Sequence, residues 1–315
     1  MSKDAKKQKP ICVVGSANVD LTFRTPRLPV PGETLAGRSL HQCMGGKGAN
    51  QAVVAARLGA DVTFVARVGN DGFGTEAIEA YKAEGIDTSF IQQDDEEPTG
   101  TAAILVDDEA ENCIIVVAGA NQRLTPADVR TASSVIEQSD LVLCQLETPV
   151  ETAIEAFRLA REANKVTVLT PAPAKSVNAE LLALCDVCVP NETEISAIVH
   201  QPISADADAI RAAELLRGHG VGRVALTMGG DGVLILDESG TTHVPATKVE
   251  AVDTTGAGDA FTAALAVSLA GGWGLGEAAR FAGKVAAISV TRLGTQTSFP
   301  SLEELNNWDR RKVDR

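Results

Sequence analysis

Asp253-Thr-Thr-Gly-Ala-Gly-Asp259 runs directly into an amphipathic helical stretch, Asp259 to Ala270. Gly256, Ala257 and Gly258 leave the main chain almost bare, so it can turn tightly and aim successive N–H groups at one point. A helix that starts there adds the positive end of its dipole. Asp259 then stands at the mouth of an anion hole. Such a place repels a carboxylate that has no task, which suggests a base beside a transferring phosphoryl group. The alternative is a Gly-rich turn with Asp259 as an ordinary first-turn helix residue. The segment alone leaves both open.

The 315 residues suffice for one large α/β core or two modest ones. Lys and Arg total 28 and Asp and Glu 42, a formal charge of −14. So acidic a chain argues against nucleic acid or an anionic membrane as partner. A phosphorylated small molecule is still possible, since local N–H groups and one or two cations suffice to hold it. There is no apolar run of about 18 residues, so no membrane span is expected. Residues 1–10, with Lys3, Lys6, Lys7 and Lys9, lack an apolar stretch and read as a disordered tail rather than a secretory signal.

The cysteines are Cys12, Cys43, Cys113, Cys144, Cys185 and Cys188. Most sit in apolar strand-like runs, as small buried hydrophobes of a reducing compartment do, and a cytoplasmic protein is expected. Cys185-Asp-Val-Cys188 has the spacing of a metal or redox pair. There is no second such pair, and positions three apart on a strand point to opposite faces, so neither role is expected there.

Strand-like and helical patterns alternate. Ile11 to Gly15, Asp61 to Val65, Leu141 to Cys144, Val166 to Leu169, Val187 to Val189 and Arg223 to Thr227 read as strands. Asn50 to Leu58, Asp71 to Glu84, Pro149 to Ala163, Ala205 to Leu216, Asp259 to Ala270 and Gly276 to Thr291 read as helices. This rhythm predicts an α/β fold, a mainly parallel sheet covered by helices on both faces, in one domain over 11–315. Thr22 to Leu40, with Pro26, Pro29, Pro31 and Gly32, breaks the rhythm. So does Gly100 to Val117, a hairpin pattern around Asp107 to Asn112. Neither suits a crossover helix, and both suit a small extra β-sheet, a lid over about 17–44 and 99–121.

Polar loops follow the strand-like runs, where a parallel sheet binds its ligands. Gly15-Ser-Ala-Asn-Val-Asp20 offers Asn18 and Asp20 to a polyol; a carboxylate accepts from vicinal hydroxyls, and an amide both gives and accepts. Gly45-Gly-Lys-Gly-Ala-Asn50 resembles a phosphate loop but departs from the Walker pattern. Its glycines let a ligand approach, Lys47 can neutralise phosphate, and Asn50 suits a ligand better than a helix. Arg67 to Gly74 reads as a structural turn in which Asp71 caps the next helix. Glu147, in Gln145-Leu-Glu147, meets the same sheet edge as Asp20. Asn191 and Glu194 fall on one helical face and suit Mg²⁺ with its waters, although they also match a capping box. Thr227-Met-Gly-Gly-Asp-Gly232 suits close passage of a nucleotide, or a plain β-turn.

Taken together and in this order, these pieces resemble the ribokinase/PfkB family of sugar kinases, over about residues 11 to 300. The matching pieces are Gly15 to Asp20, Gly45 to Ala52, Gln145 to Glu147, Pro190 to Glu194 and Asp253 to Asp259, and Gly45 to Asn50 with Gly256 to Asp259 are specific together. It implies ATP-dependent phosphorylation of D-ribose at the 5-hydroxyl. Asn18, Asp20, Gly45, Gly46, Lys47, Asn50 and Glu147 would hold the sugar. Asp259 would take the hydroxyl proton, and the N–H groups from Gly256 through Ala257 and Gly258 to Asp259 would hold the transferring charge, with Lys47 assisting. Asn191 and Glu194 would serve ATP and Mg²⁺, and Thr227, Gly229, Gly230, Gly232 and Gly258 the nucleotide. Asp253, Thr255, Ser289, Arg292, Gly294 and Ser298 would form a K⁺ site, mostly through carbonyls. Many relatives carry Asn near Gly283 against the nucleotide; here the contact is absent or supplied by Lys284. The lid implies a homodimer. The alternatives are a kinase for deoxyribose, fructose or a nucleoside such as adenosine, and a sugar-binding regulator without turnover. Low aromatic content, 3%, speaks against a nucleoside, whose base needs an apolar wall.

Overall fold

A computed structural model describes residues 9–109, 111–174 and 177–313. In chain order the strands are β1 Pro10–Val14, β2 Asn18–Arg24, β3 Ser39–Gly45, β4 Asp61–Gly69, β5 Asp87–Asp94, β6 Gly100–Val106 and β7 Asn112–Val117. They continue with β8 Leu141–Cys144, β9 Val166–Leu169, β10 Val187–Cys188, β11 Arg223–Thr227, β12 Val233–Asp237 and β13 Gly240–Val244. The helices are α1 Lys47–Arg57, α2 Gly72–Ala83, α3 Pro126–Thr131, α4 Ser133–Gln138, α5 Val150–Glu162 and α6 Ala179–Ala183. After them come α7 Glu192–Val199, α8 Asp206–Gly218, α9 Ala257–Ala270, α10 Leu275–Ser289 and α11 Leu302–Val313.

Nine strands form one sheet in the order β13-β12-β11-β10-β9-β8-β1-β4-β5. It is parallel except at β11–β12 and β12–β13. Every side chain of β8 is buried, as are those of β1 after Pro10, because helices cover both faces. One apolar core packs α1, α2, α9 and α10 on one face, and a second packs α3 to α8 on the other. The chain builds outward from β1 to β4 and β5, then returns to β8 on the other side. The strand order therefore reverses between β1 and β8, the place where open α/β sheets form their ligand crevice.

A separate four-stranded sheet, β3-β2-β6-β7, stands beside this layer. Its β2 leaves the end of β1 after three residues, and Asn18 pairs with both Gly45 and Gly100. All six residues of β7 are exposed.

Several boundaries differ from the sequence expectation. Of the expected tail, residues 1–8 lie outside the described residues. Lys9 and Pro10 do not continue a tail: the Lys9 carbonyl accepts from Asp61 N–H at 3.1 Å, and Pro10 opens β1. The glycine-rich loops enter their helices earlier than expected, so Lys47 is the first residue of α1 and Ala257 the first of α9. Cys185 lies outside a strand, and its thiol therefore reaches Cys188; burial and that contact push the Cys188 thiol well up. No group of three His, Cys, Asp or Glu among the described residues is placed to hold a metal.

Candidate active site

Ser16, directly after β1, organises the first glycine loop. Its carbonyl accepts from Ala49 N–H at 2.8 Å, its hydroxyl accepts from Gly48 N–H at 3.2 Å, and that hydroxyl donates to Glu147 Oε2 at 2.5 Å. Lys47 N–H donates to the same Glu147 oxygen at 2.9 Å. The backbones are so close that a Cβ on Gly48 would lie 2.5 Å from Ser16 N. Glu147, expected to hold a hydroxyl, thus has one oxygen committed to fastening the loop across the β1–β8 reversal.

On the sugar side, Asn121 Oδ1 accepts from Ala17 N–H at 2.8 Å, and Asn121 Nδ2 donates to Asn18 Oδ1 at 2.7 Å. Asn18 is left with its own Nδ2 to offer. The Asp20 carboxylate lies over Gly45, where a Cβ would come within 2.2 Å of Oδ2. Among the described residues no hydrogen bond reaches that carboxylate. Burial first, then the charges of Glu147 and Asp259, push its pKa up to about 6.

Asp259 is 6% exposed. Gly256 takes φ 78° as the cap of α9 and supplies no side chain. Asp259 does not cap its helix either. Its Oδ2 accepts from Asn50 Nδ2 and its Oδ1 from Gln51 Nε2, both at 2.9 Å. Asp259 does lie in the first turn of α9, but its carboxylate is held by α1 side chains rather than by its own helix. Burial raises the Asp259 pKa; Lys47, Asn50 and Gln51 pull against it and Glu147 adds to it, leaving it above the usual aspartate value. A buried carboxylate without such donors would be costly. Desolvation works against the Lys47 ammonium, but Asp259, Glu147 and Glu194 outweigh it and hold its pKa above the usual lysine value.

A cavity of about 160 Å³ opens here between the start of α9, Lys47, Thr170 after β9, Glu194 in α7 and Thr227 at the end of β11. That suits phosphate groups; pockets enclosing a whole small molecule run to ~300–1,000 Å³. Gly258 and Asp259 N–H have no acceptor among the described residues, as the first turn of a helix leaves them. Ala257 N–H, expected in the anion hole, instead turns back to the Thr254 carbonyl at 3.2 Å.

Asn191 and Glu194 form a complete capping box on α7. Glu194 Oε2 accepts from Asn191 N–H and Oε1 from Asn191 Nδ2, so the pair faces the cavity with its strongest bonds already made. Burial raises the Glu194 pKa, against the pull of Asn191 N–H and Lys47. Such a donor set fits Mg²⁺ held through water better than direct ligation. Thr227 lines the cavity and donates to the Pro190 carbonyl from N–H at 2.9 Å. Gly229, Gly230, Gly232 and Gly283 do not line it. Gly232 answers to strand packing, since a Cβ there would lie 2.2 Å from the Val244 carbonyl oxygen. Gly229, Gly230 and Gly283 border open space. Lys284 Nζ, the alternative contact at Gly283, donates to the Leu305 carbonyl in α11 at 3.3 Å.

Asp253 ties two loops together. Its Oδ1 accepts from Thr255 N–H and its Oδ2 from Gly294 N–H, both at 2.9 Å. Desolvation opposes its charge, but these bonds win and lower its pKa. Ser289 and Ser298 hydroxyls donate to the Ala286 and Thr295 carbonyls, and the Arg292 guanidinium pairs with Glu304. With these side chains engaged, Arg292 and Gly294 can offer a cation main-chain oxygens, which fits a carbonyl cage.

Sequence reading missed Ser16, Gln51, Asn121, Gln145, Thr170 and Gln296. Ser16, Gln51 and Gln145 sat inside quoted stretches. The partners of the amides lie at tertiary distances, and nothing local marks Asn121 or Gln296.

The pattern of the pfkB family carbohydrate kinases matches residues 8–302. The chain is 39% identical over 297 residues to a ribokinase of Haemophilus influenzae, covering 94% of this chain and 97% of that one. It is 36% identical over 299 residues to a deoxyribokinase of Salmonella typhimurium, covering 95% and 98%. The solved structure of Arabidopsis thaliana ribokinase complexed with ribose and ATP superposes with a TM-score of 0.89 at 31% identity, covering 95% of this chain and 98% of that one.

Proposed function

This chain belongs to the pfkB family of carbohydrate kinases, and from that premise we propose that it phosphorylates D-ribose at the 5-hydroxyl with ATP. The observation that carries the reading is Asp259: a buried carboxylate whose oxygens are held by α1 side chains, beside helix N–H groups that have no acceptor among the described residues. Asp259 accepts the hydroxyl proton as the 5-oxygen attacks the γ-phosphorus. Gly258 and Asp259 N–H, with Lys47, meet the charge on the transferring phosphoryl group; one such donor is worth ~3 kcal/mol in a transition state. Asn18, Asp20 and Asn50 orient the sugar, and the free Glu147 oxygen takes a further hydroxyl. ATP would place its phosphates in the cavity and its base on the open side past Thr227 and Gly229. Asn191 and Glu194 would hold, through water, the Mg²⁺ that would neutralise phosphate charge. The main-chain oxygens around Asp253, Thr255, Ser289, Arg292, Gly294 and Ser298 would hold K⁺. Equal rates in K⁺, Na⁺ and choline would remove that site.

The small sheet is the lid. Ile114, Ile115, Val116 and Val117 of edge strand β7 are each more than half exposed. An apolar edge strand of this kind is covered in most proteins, here by a second copy. Six free cysteines fit a reducing cytoplasm. No helix among the described residues is long and apolar enough to cross a membrane.

The deoxyribokinase relative favours a second substrate, deoxyribose. Coupled ADP release with ribose, deoxyribose, fructose and adenosine distinguishes the readings. Ribose is expected to give the highest kcat/KM, and ADP release with no sugar would overturn the kinase.

A further inference from the structure

Two files of buried amides converge on Asp259. In one, Gln145 Nε2 donates to Gln51 Oε1 at 2.7 Å, and Gln51 Nε2 donates to Asp259 Oδ1 at 2.9 Å and to Thr170 Oγ1 at 3.1 Å. In the other, Gln296 Nε2 donates to Asn50 Oδ1 at 3.1 Å, and Asn50 Nδ2 donates to Asp259 Oδ2 at 2.9 Å. Asn50 faces the sugar, but Gln51 and Gln145 are fully enclosed, at 0% and 1% exposure. They are spaced 94 positions apart and meet only through the fold.

A carboxamide has one donating and one accepting end, and only the donating end can face a carboxylate. The Asp259 carboxylate therefore selects the Nε2 end of Gln51. Gln145 supports that orientation by donating to the other end, Oε1, while Gln145 Oε1 itself finds no partner among the described residues. We propose that Gln51 is a positioning residue for phosphoryl transfer, its carboxamide held between Gln145 and Asp259 so that the Asp259 carboxylate faces the attacking hydroxyl. The proposal rests on Asp259 as the base. The other charged groups around Asp259 are Lys47 at the start of α1, Glu147 after β8, Glu194 in α7 and Asp20 in β2. Among the described residues, none of them hydrogen-bonds its carboxylate.

The test is steady-state kinetics of Gln51→Met and Gln145→Met from acid to neutral pH, beside the wild type and Asp259→Asn. Gln51→Met is expected to lose about 10²-fold in kcat, the cost of a slightly misplaced reacting group, with KM for sugar and ATP held. The acid limb of its kcat profile moves to higher pH, because a donor to the charged carboxylate is gone. Gln145→Met leaves Gln51 Oε1 without its donor and loosens the side chain, giving a smaller loss and a smaller displacement in the same direction. A structural role alone would lower the melting temperature and leave the pH profile in place, and that result overturns the proposal. So do wild-type rates in both variants while Asp259→Asn is inactive; the kinase reading then survives. If Gln51→Met does not fold, Gln145→Met decides, since it leaves Gln51 in place. If the wild type phosphorylates no sugar, both the reading and this proposal fall.

Discussion

The loops before α1 and α9 look alike. Both are glycine-rich, both end in a glycine of positive φ (Gly46 at 85°, Gly256 at 78°), and neither helix has a side-chain cap. They differ in where their N–H groups go. Before α1, Lys47, Gly48 and Ala49 all donate, to Glu147 and to the hydroxyl and carbonyl of Ser16. At α9, Gly258 and Asp259 N–H find no acceptor among the described residues. One loop is a fastened platform that carries Lys47 and Asn50, and the other leaves donors open, as the proposed anion site requires. A glycine loop therefore becomes a ligand site through the destination of its donors, which only the complete fold determines.

Substitutions on the two sides should separate accordingly. The largest effect is expected from Asp259→Asn, which keeps the shape and removes the base: kcat falls about 10²–10⁴-fold, with ribose binding by calorimetry retained. Gly256→Ala comes next. A Cβ there meets Thr295 Cγ2 at 2.7 Å and the left-handed φ adds strain, so the first turn of α9 moves off target. Losing its donors should lower kcat about 10²–10³-fold and leave the ribose KM alone. Glu147→Ala acts on the other loop. It strands Lys47 N–H and the Ser16 hydroxyl at a cost of about 1–3 kcal/mol in denaturant unfolding, and raises KM more than it lowers kcat. If Glu147→Ala damaged kcat as severely as Gly256→Ala, the two loops would not differ in kind.

The smallest effect is pH dependence. Asp20 has a pKa raised to about 6, and only its charged form offers both oxygens as acceptors to sugar hydroxyls. The ribose KM should therefore climb as pH falls below about 6, with a flatter profile in Asp20→Asn. An unchanged profile in that variant would assign the climb to another group.

The fold was largely legible because parallel strands buried on both faces read as short apolar runs, and β1, β8 and β9 were found on that signal alone. The edge strand β13, Gly-Thr-Thr-His-Val, carries no such run, and it went unread. The site was legible where chemistry and local geometry coincide, at Gly256 to Asp259 and at Asn18 and Asp20. It was illegible where partners are remote. Gln296 reaches Asn50 across 246 positions and Gln51 reaches Asp259 across 208, and no local pattern encodes such a meeting. The bond from Lys284 to the Leu305 carbonyl in α11, 21 positions away, was equally unreadable from its neighbours.

The most direct measurement is a crystal structure with ribose, ADP and a planar metal fluoride in place of the transferring phosphoryl group. The fluoride is expected about 2.7–3.1 Å from the N–H groups of Gly258 and Asp259, with the 5-hydroxyl on the Asp259 carboxylate. A fluoride seated instead on the loop of Gly46 and Gly48, with Asp259 out of reach of the sugar, would contradict the account.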